Sequence, residues 1–140
     1  MNKNFLESLE GLKKTTPVIV CGAARSGTRM MTDILNTHKN ILIQEEMHAN
    51  TIESYFNMLR NIDDVFDSYS ERKGYQLDTH WNNSKHILSH VFFATAGKKK
   101  TTNNTKEITF HGIKTPGYER YFPELEDAFS HTPPIYIYIV

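Results

Sequence analysis

The stretch that decides the fold is PVIVCGAARSGT, residues 17–28. Residues 17–21 form a continuous apolar run, which is typical of a strand buried on both faces of a parallel sheet. A loop bounded by glycines follows over 22–27, and apolar positions at helical spacing continue over 28–37. Glycines let successive N–H groups point at an anion, and a helix N-terminus adds partial positive charge. The stretch therefore predicts a strand, a phosphate-binding loop and a helix that together bind a nucleotide-like ligand, with a plain structural turn as the alternative.

Strand and helix patterns alternate along the rest of the chain, which predicts an α/β fold with a mainly parallel sheet. Asn50 followed by Glu53 resembles a capping box and places a helix start at Asn50. Pro123 suits the first turn of another helix. The predicted strands are 41–43, 107–113 and 135–140. The predicted helices are a lead-in over 5–12, a helix over 50–69, one that begins at 87 and stops near Gly97, and one over 123–129.

Length and composition fit one globular domain over 1–140, with a lead-in segment over 1–16 and an α/β core over 17–140. Sixteen basic residues balance sixteen acidic ones, so overall charge gives no reason to expect a nucleic-acid partner. No apolar run approaches the length of a membrane span. The single cysteine, Cys21, excludes an intrachain disulfide and fits a reducing compartment, so we expect a cytoplasmic protein of undetermined oligomeric state.

The loop has the GxxxxG spacing of a P-loop, but it lacks the lysine that normally follows. Thr28 and Arg29 occupy the positions of the usual Lys-Ser/Thr pair. Because that lysine reaches the β- and γ-phosphates, its absence argues against ordinary ATP or GTP hydrolysis. The cation of this loop is instead Arg25, which lies inside it.

The sequence ARSGT at 24–28 resembles the PRSGTT loop of sulfotransferases, which binds the 5′-phosphosulfate of 3′-phosphoadenosine 5′-phosphosulfate (PAPS). Ala24 replaces the proline of that loop, and Arg29 replaces its second threonine. Three further segments are similar to sulfotransferase motifs in the same order: LNTHKNI at 35–41, EMH at 46–48 and HGIKTP at 111–116. The resemblance implies a P-loop-containing nucleotide hydrolase-like fold with three α/β/α layers. It also implies transfer of a sulfuryl group from PAPS, as co-substrate and without a metal, to a hydroxyl or amine acceptor.

The resemblance also assigns roles to residues. Glu46 is the expected base, with Glu45 and His48 as competitors, and a buried Glu45 would raise the proton affinity of a buried Glu46. Lys114 is expected to stabilise the transferring group or the leaving phosphate. The predicted catalytic residues are Glu46, Lys114 and Arg25, and the predicted cofactor-binding residues are Gly22, Ala24, Arg25, Ser26, Gly27, Thr28 and Arg29.

The last residues, 135–140, are apolar and rich in tyrosine, as in an interior strand. We therefore expect a fold that is incomplete at its C-terminus and stops before the family's 3′-phosphate site. The alternative is an edge strand that ends a small complete domain.

Other readings remain open at this stage. A P-loop kinase-like phosphotransferase would need a lysine and a metal-binding aspartate that the sequence does not place, and a truncated nucleotide-binding remnant would not be catalytic. His86 and His90 have the spacing of a zinc pair but no third ligand, so we expect surface or packing histidines and no metal. The acceptor is undetermined: a small molecule, a carbohydrate, a lipid and a peptide all stay open as hydroxyl or amine acceptors. Tyr55, Phe56, Phe92 and Phe93 are expected in the core first and in an acceptor pocket second.

Overall fold

The structure is a computed structural model that describes residues 7, 10–11, 13–47, 49–73, 78–95 and 108–140. Most of the predicted lead-in helix and the competing base His48 lie outside these residues. The elements are β1 (Thr16–Gly22), α1 (Thr28–Leu35), β2 (Ile41–Gln44), α2 (Ala49–Lys73), α3 (Asp78–Thr95), β3 (Phe110–Lys114), a 3-10 helix (Tyr118–Tyr121), α4 (Phe122–Ala128) and β4 (Ile135–Ile139).

The four strands form one parallel sheet in the order β2-β3-β1-β4. Alternate residues of β1 pack on opposite faces of this sheet. Val18 and Val20 face α1, whereas Ile19 and Cys21 face a larger core built from the other helices. The prediction of a three-layer α/β fold with a mainly parallel sheet is therefore confirmed.

Several predicted boundaries differ from the structure. Helix α3 begins at Asp78, well before the predicted start at residue 87. Helix α2 begins at Ala49, so Asn50 lies inside its first turn and is not the residue before the helix. Strand β3 begins only at Phe110, because the N–H groups of Thr109 and Phe110 both donate to the carbonyl of Asn40 in the turn before β2. The helix predicted at Pro123 is confirmed, since proline occupies its first turn.

The two margins of the described sheet differ. On β2, the Asn36 side chain bridges to Ile43, accepting from its N–H at 2.7 Å and donating to its carbonyl at 2.9 Å. On the opposite margin, β4 pairs with β1 on one side, and Ile135 and Tyr138 are 45% and 50% exposed. The predicted interior strand is thus an edge strand within the described sheet.

Buried polar groups tie the helices to the sheet. Lys85 on α3 is only 4% exposed and pairs with Asp63 of α2 at 3.0 Å and with Asp127 of α4 at 2.7 Å. Because a buried ammonium is costly without a counter-charge, these two carboxylates hold three helices in one arrangement.

A row of histidines runs from the surface into the same core. His86 and His90 are buried, with ring centroids 4.5 Å apart, and His90 Nδ1 lies 2.9 Å from His111 Nε2 on β3. The ring centroid of the exposed His131 lies 4.9 Å from that of His86. Burial lowers the pKa of His90 to about 3 and that of His111 to about 4, and burial also lowers the pKa of His86. The two predicted zinc-spaced histidines are therefore packing residues.

Because burial lowers the pKa of these histidines, we expect the folded protein to lose stability in mild acid. Unfolded histidines take up protons near their ordinary pKa of about 6.5, whereas the folded cluster does so only near pH 4 or below. The unfolded state then binds more protons, so the unfolding free energy should fall by up to about 1.4 kcal/mol per pH unit for each such histidine as pH drops below 6.5. Urea titrations from pH 7.5 to 4.5 measure this slope.

His90→Leu should make that slope shallower, because it removes one group of the row. An equal slope in the variant and the unchanged protein would contradict the assignment.

Candidate active site

The site lies at the carboxyl ends of β1, β2 and β3. The chain leaves β1 through α1 toward β2 on one side, and later returns to place β4 on the other side of β1. Ligands of open parallel sheets bind at such a reversal of strand order, outside the carboxyl ends of the strands. The loop over 22–28 occupies this position.

Two residues of the loop have left-handed backbone conformations. Arg25 has a positive φ of 63°, which is uncommon for a residue other than glycine, and Gly27 has a φ of 97°. Gly27 precedes α1 without a side-chain cap, and the first turn of α1 holds no acidic residue. The first N–H groups of a helix lack partners within the helix, so this end of α1 presents uncompensated positive charge.

Two further features of the loop are the close packing of Gly22 against β4 and the burial of the Ser26 hydroxyl. A Cβ on Gly22 would lie 2.3 Å from the carbonyl oxygen of Ile139, so no larger residue fits where β1 meets β4. The Ser26 hydroxyl is buried, and no described residue hydrogen-bonds to it. A buried hydroxyl without a partner is a group that a bound ligand could satisfy.

Backbone hydrogen bonds fix the end of β3 against the end of β1. The N–H of Thr115 donates to the carbonyl of Val20 at 3.0 Å, and the N–H of Gly117 donates to that of Gly22 at 3.2 Å. Lys114 is the register partner of Val20. The strand pairing therefore sets Lys114 beside the loop with little freedom in its backbone.

Lys114 and Glu46, separated by 68 residues in sequence, form a direct ion pair. The Lys114 Nζ lies 2.6 Å from Glu46 Oε1. The lysine side chain is 9% exposed and the glutamate 56%, so the cation is held inward and the carboxylate faces the open side. The predicted cation and the predicted base are thus in contact.

A recess of about 200 Å³ beside this pair is lined by Arg29, Glu45, Glu46 and Lys114. It contains two acidic and two basic side chains, so charges of both signs meet at this point. The expected effect of Glu45 on the proton affinity of Glu46 required both carboxylates to be buried. That condition is not met, because Glu46 is largely exposed.

A larger cavity of about 970 Å³ opens over the loop and the ion pair. All three residues predicted to be catalytic line it, and so do most of those predicted to bind the cofactor. Gly22 and Ser26 do not line it, and lie at the base of the loop. The predicted residues that line the cavity are Ala24, Arg25, Gly27, Thr28, Arg29, Glu46 and Lys114.

Residues that the sequence analysis did not single out also line the cavity, among them Asp33 and Thr37. With Arg29 they follow a spacing of four along α1 and its C-terminal turn, which places them on one helical face. This spacing of four was the signal in the sequence that could have indicated that Asp33 and Thr37 face the same side as Arg29.

Several other candidates lie elsewhere. Tyr55, Phe56 and Phe93 belong to the core, as expected, and Phe92 packs against it. Burial raises the pKa of the Cys21 thiol to about 11, which makes it unreactive at neutral pH. Within the described residues, no group of three or more metal-ligating side chains comes together. No described helix has the length and apolar content needed to cross a bilayer.

A family model described as the sulfotransferase family matches residues 17–138. None of the curated proteins compared with the chain matches it significantly. The matched region contains the loop, Glu46 and Lys114 and overlaps all four described strands. Because the match covers well over half of the 140 residues, the chain belongs to the sulfotransferase family.

Proposed function

We propose that the protein transfers a sulfuryl group from PAPS to a hydroxyl or amine acceptor, with the cavity over the loop as its active site. The observation that carries this proposal is the contact of Lys114 with Glu46 at 2.6 Å beside an uncapped anion-binding loop. A cation, a carboxylate and an anion cradle are the three elements that sulfuryl transfer requires.

The residues present fit the 5′ end of PAPS. The cavity is large enough for a nucleotide, and the N-terminus of α1 faces no acidic side chain in its own first turn. Arg25 and Thr28, which line the cavity, would contact phosphate oxygens. The bound donor supplies the activated sulfuryl group, and the other steps belong to the side chains.

Glu46 would accept the proton of the acceptor hydroxyl as its oxygen forms a bond to sulfur. The bond between sulfur and the bridging oxygen breaks, and its electron pair remains on the 5′-phosphate of 3′,5′-adenosine bisphosphate. Lys114 would stabilise the negative charge that develops on that oxygen. The products are the sulfated acceptor, the bisphosphate and a proton, which Glu46 releases to solvent.

The ion pair also suggests an order of binding. While Lys114 holds Glu46, its ammonium occupies the carboxylate oxygen Oε1, so that oxygen is not available to an acceptor hydroxyl. An anionic donor competes for the Lys114 ammonium and would release Glu46 toward the acceptor. The donor should therefore bind first and prepare the base.

A kinase-like phosphotransferase receives less support. Thr28 and Arg29 still stand where a P-loop needs its lysine, and no metal-binding group assembles among the described residues. A cytoplasmic location is part of the same proposal, because the donor is a soluble nucleotide.

The first prediction concerns the donor product. The bisphosphate should raise the melting temperature of the 140-residue chain in the presence of EDTA, because no metal is needed to bind it. Thermal shift and calorimetry measure this effect. Stabilisation by magnesium-ATP, with none by the bisphosphate, would reject the proposal.

The second prediction distinguishes the roles of the two residues in the ion pair. Glu46→Gln should lower kcat by about 10²- to 10⁴-fold without weakening bisphosphate binding, since the variant loses the proton acceptor but leaves the Lys114 ammonium in place for the anion. Lys114→Met should lower both kcat and bisphosphate affinity. Lys39→Met, an exposed change of the same kind, is the control. Equal loss of bisphosphate affinity in both ion-pair variants would contradict the separate roles.

The third prediction concerns Arg29, which replaces the second threonine of the sulfotransferase loop. Arg29 lines both the cavity and the charged recess, so Arg29→Thr should weaken bisphosphate binding about tenfold or more through loss of a charge-assisted contact. Arg120→Thr is the matched control, because Arg120 is exposed and stacks on Tyr121 away from the cavity lining. Unchanged affinity in Arg29→Thr would remove this residue from the donor site.

A further inference from the structure

One face of α1 lines the same cavity as the ion pair, and the proposed transfer does not use it. We refer to its four lining residues as the α1 face: Met30, Asp33, Ile34 and Thr37. Glu46 and Lys114 line this cavity as well, so the proposed base and the α1 face open onto one shared space. An acceptor that reaches Glu46 can therefore contact the α1 face with its remaining atoms.

The α1 face carries an apolar stripe beside a polar one. Met30 and Ile34 are four residues apart, so they lie one turn apart on the same side of the helix. They are 65% and 55% exposed, so their apolar surface is open to a ligand. Asp33 and Thr37 have the same spacing, and both are exposed. A ligand that lies along α1 would meet apolar surface and side-chain oxygen atoms next to each other.

The charged groups that line the cavity are distributed unevenly. Its cations, Arg25, Arg29 and Lys114, lie at the loop end, where α1 begins. Asp33 follows Thr28 by five residues, which is about 7.5 Å along the helix axis. The lining therefore changes from cationic at the loop, where the anionic donor is expected, to acidic further along α1.

Asp33 occupies a position that is unfavourable for the helix alone. Helix α1 ends at Leu35, so Asp33 lies in its last turn, where the backbone carries partial negative charge. Within α1, that turn holds no basic residue, and the first turn holds no acidic one. The carboxylate thus adds to the negative end of the helix instead of offsetting it. A residue that breaks a local rule at the wall of a cavity points to a role in ligand binding.

The donor leaves this negative end to the second substrate. Arg29 precedes Asp33 by one turn, and residues at this spacing can contact each other. The donor is expected to engage Arg29, because Arg29 lines the cavity beside the loop. With the donor bound, the charge of Asp33 then faces the acceptor.

We propose that the acceptor carries an ammonium group that binds Asp33, joined by a short apolar body to the hydroxyl that reaches Glu46. This inference rests on the proposed sulfuryl transfer. An ammonium is complementary both to the carboxylate and to the negative end of α1. The apolar body would cover Met30 and Ile34 and remove their exposed surface from water. An acceptor with a carboxylate in place of the ammonium would be repelled by the same groups.

The test compares three phenols of similar size that differ in the charge at the far end: tyramine, 4-propylphenol and 3-(4-hydroxyphenyl)propionate. Calorimetry measures their binding to the 140-residue chain at pH 7 in the presence of 3′,5′-adenosine bisphosphate. Tyramine is an ammonium at this pH, as a lysine side chain is. It should bind about tenfold or more tightly than 4-propylphenol through a charge-assisted contact, and the carboxylate should bind most weakly.

Asp33→Asn should reduce the preference for tyramine over 4-propylphenol to about one. Asp67→Asn is the matched control, because Asp67 is an exposed aspartate of α2 outside the cavity lining, and it should keep the preference. Ile34→Ser should weaken tyramine and 4-propylphenol alike, since it removes apolar surface and no charge. Because Asp33 opposes the helix dipole, Asp33→Asn should not lower the melting temperature, which separates lost recognition from unfolding.

With PAPS as donor, tyramine should yield tyramine O-sulfate with a higher kcat/KM than 4-propylphenol yields its sulfate. Equal affinity for these two phenols, an unchanged preference in Asp33→Asn, or tighter binding of the carboxylate would overturn the inference. An equal loss of preference in Asp67→Asn would overturn it as well, because the effect would then not belong to the α1 face.

The two proposals fail separately. Bisphosphate binding without a preference for tyramine would reject the ammonium acceptor and retain sulfuryl transfer. A preference for tyramine without bisphosphate binding would reject sulfuryl transfer, and with it the assignment of Asp33 to an acceptor.

Discussion

The rest of the structure depends on the close approach of three strand ends around β1. Backbone hydrogen bonds from Thr115 and Gly117 hold the end of β3 against that of β1. On the other side, Gly22 leaves no space for a Cβ beside Ile139, and within the sheet a Cβ on Gly112 would lie 1.6 Å from the Val18 carbonyl oxygen. Any side chain at these glycines would force the strands apart. The anion-binding loop and Lys114 share one cavity because this spacing is kept.

Charge at the site follows from the unequal burial of the ion pair. Lys114 is almost enclosed, and an enclosed ammonium needs a counter-charge. Glu46 supplies that charge from a largely exposed position, where it can also be reached from the open side of the cavity. A bound anion could take over as the partner of Lys114. Glu46 is therefore the structural counter-ion of Lys114 in this structure and, in the function we propose, the base.

The sequence predicted the strand, the loop and the helix around residues 17–35 because their signals are local: an apolar run, two glycines and helical periodicity. It also placed Glu46 and Lys114 at one edge of the sheet, because parallel strands present their carboxyl ends together. It could not predict that these two side chains touch, since the contact depends on side-chain conformation. The spacing of His86 and His90 was visible within one segment, but their contact with His111 joins α3 to β3 and has no local signal.

The Asn36 amide has a consequence for how this sheet can meet other chains. An added strand at β2 would have to displace hydrogen bonds that Ile43 already makes with Asn36, whereas the outer side of β4 is not closed in this way within the described residues. Unpaired strand edges are the usual starting points of intermolecular pairing. The two margins of the described sheet therefore differ: a strand added at β2 would compete with the Asn36 amide for Ile43, and no such side chain is described on the outer side of β4.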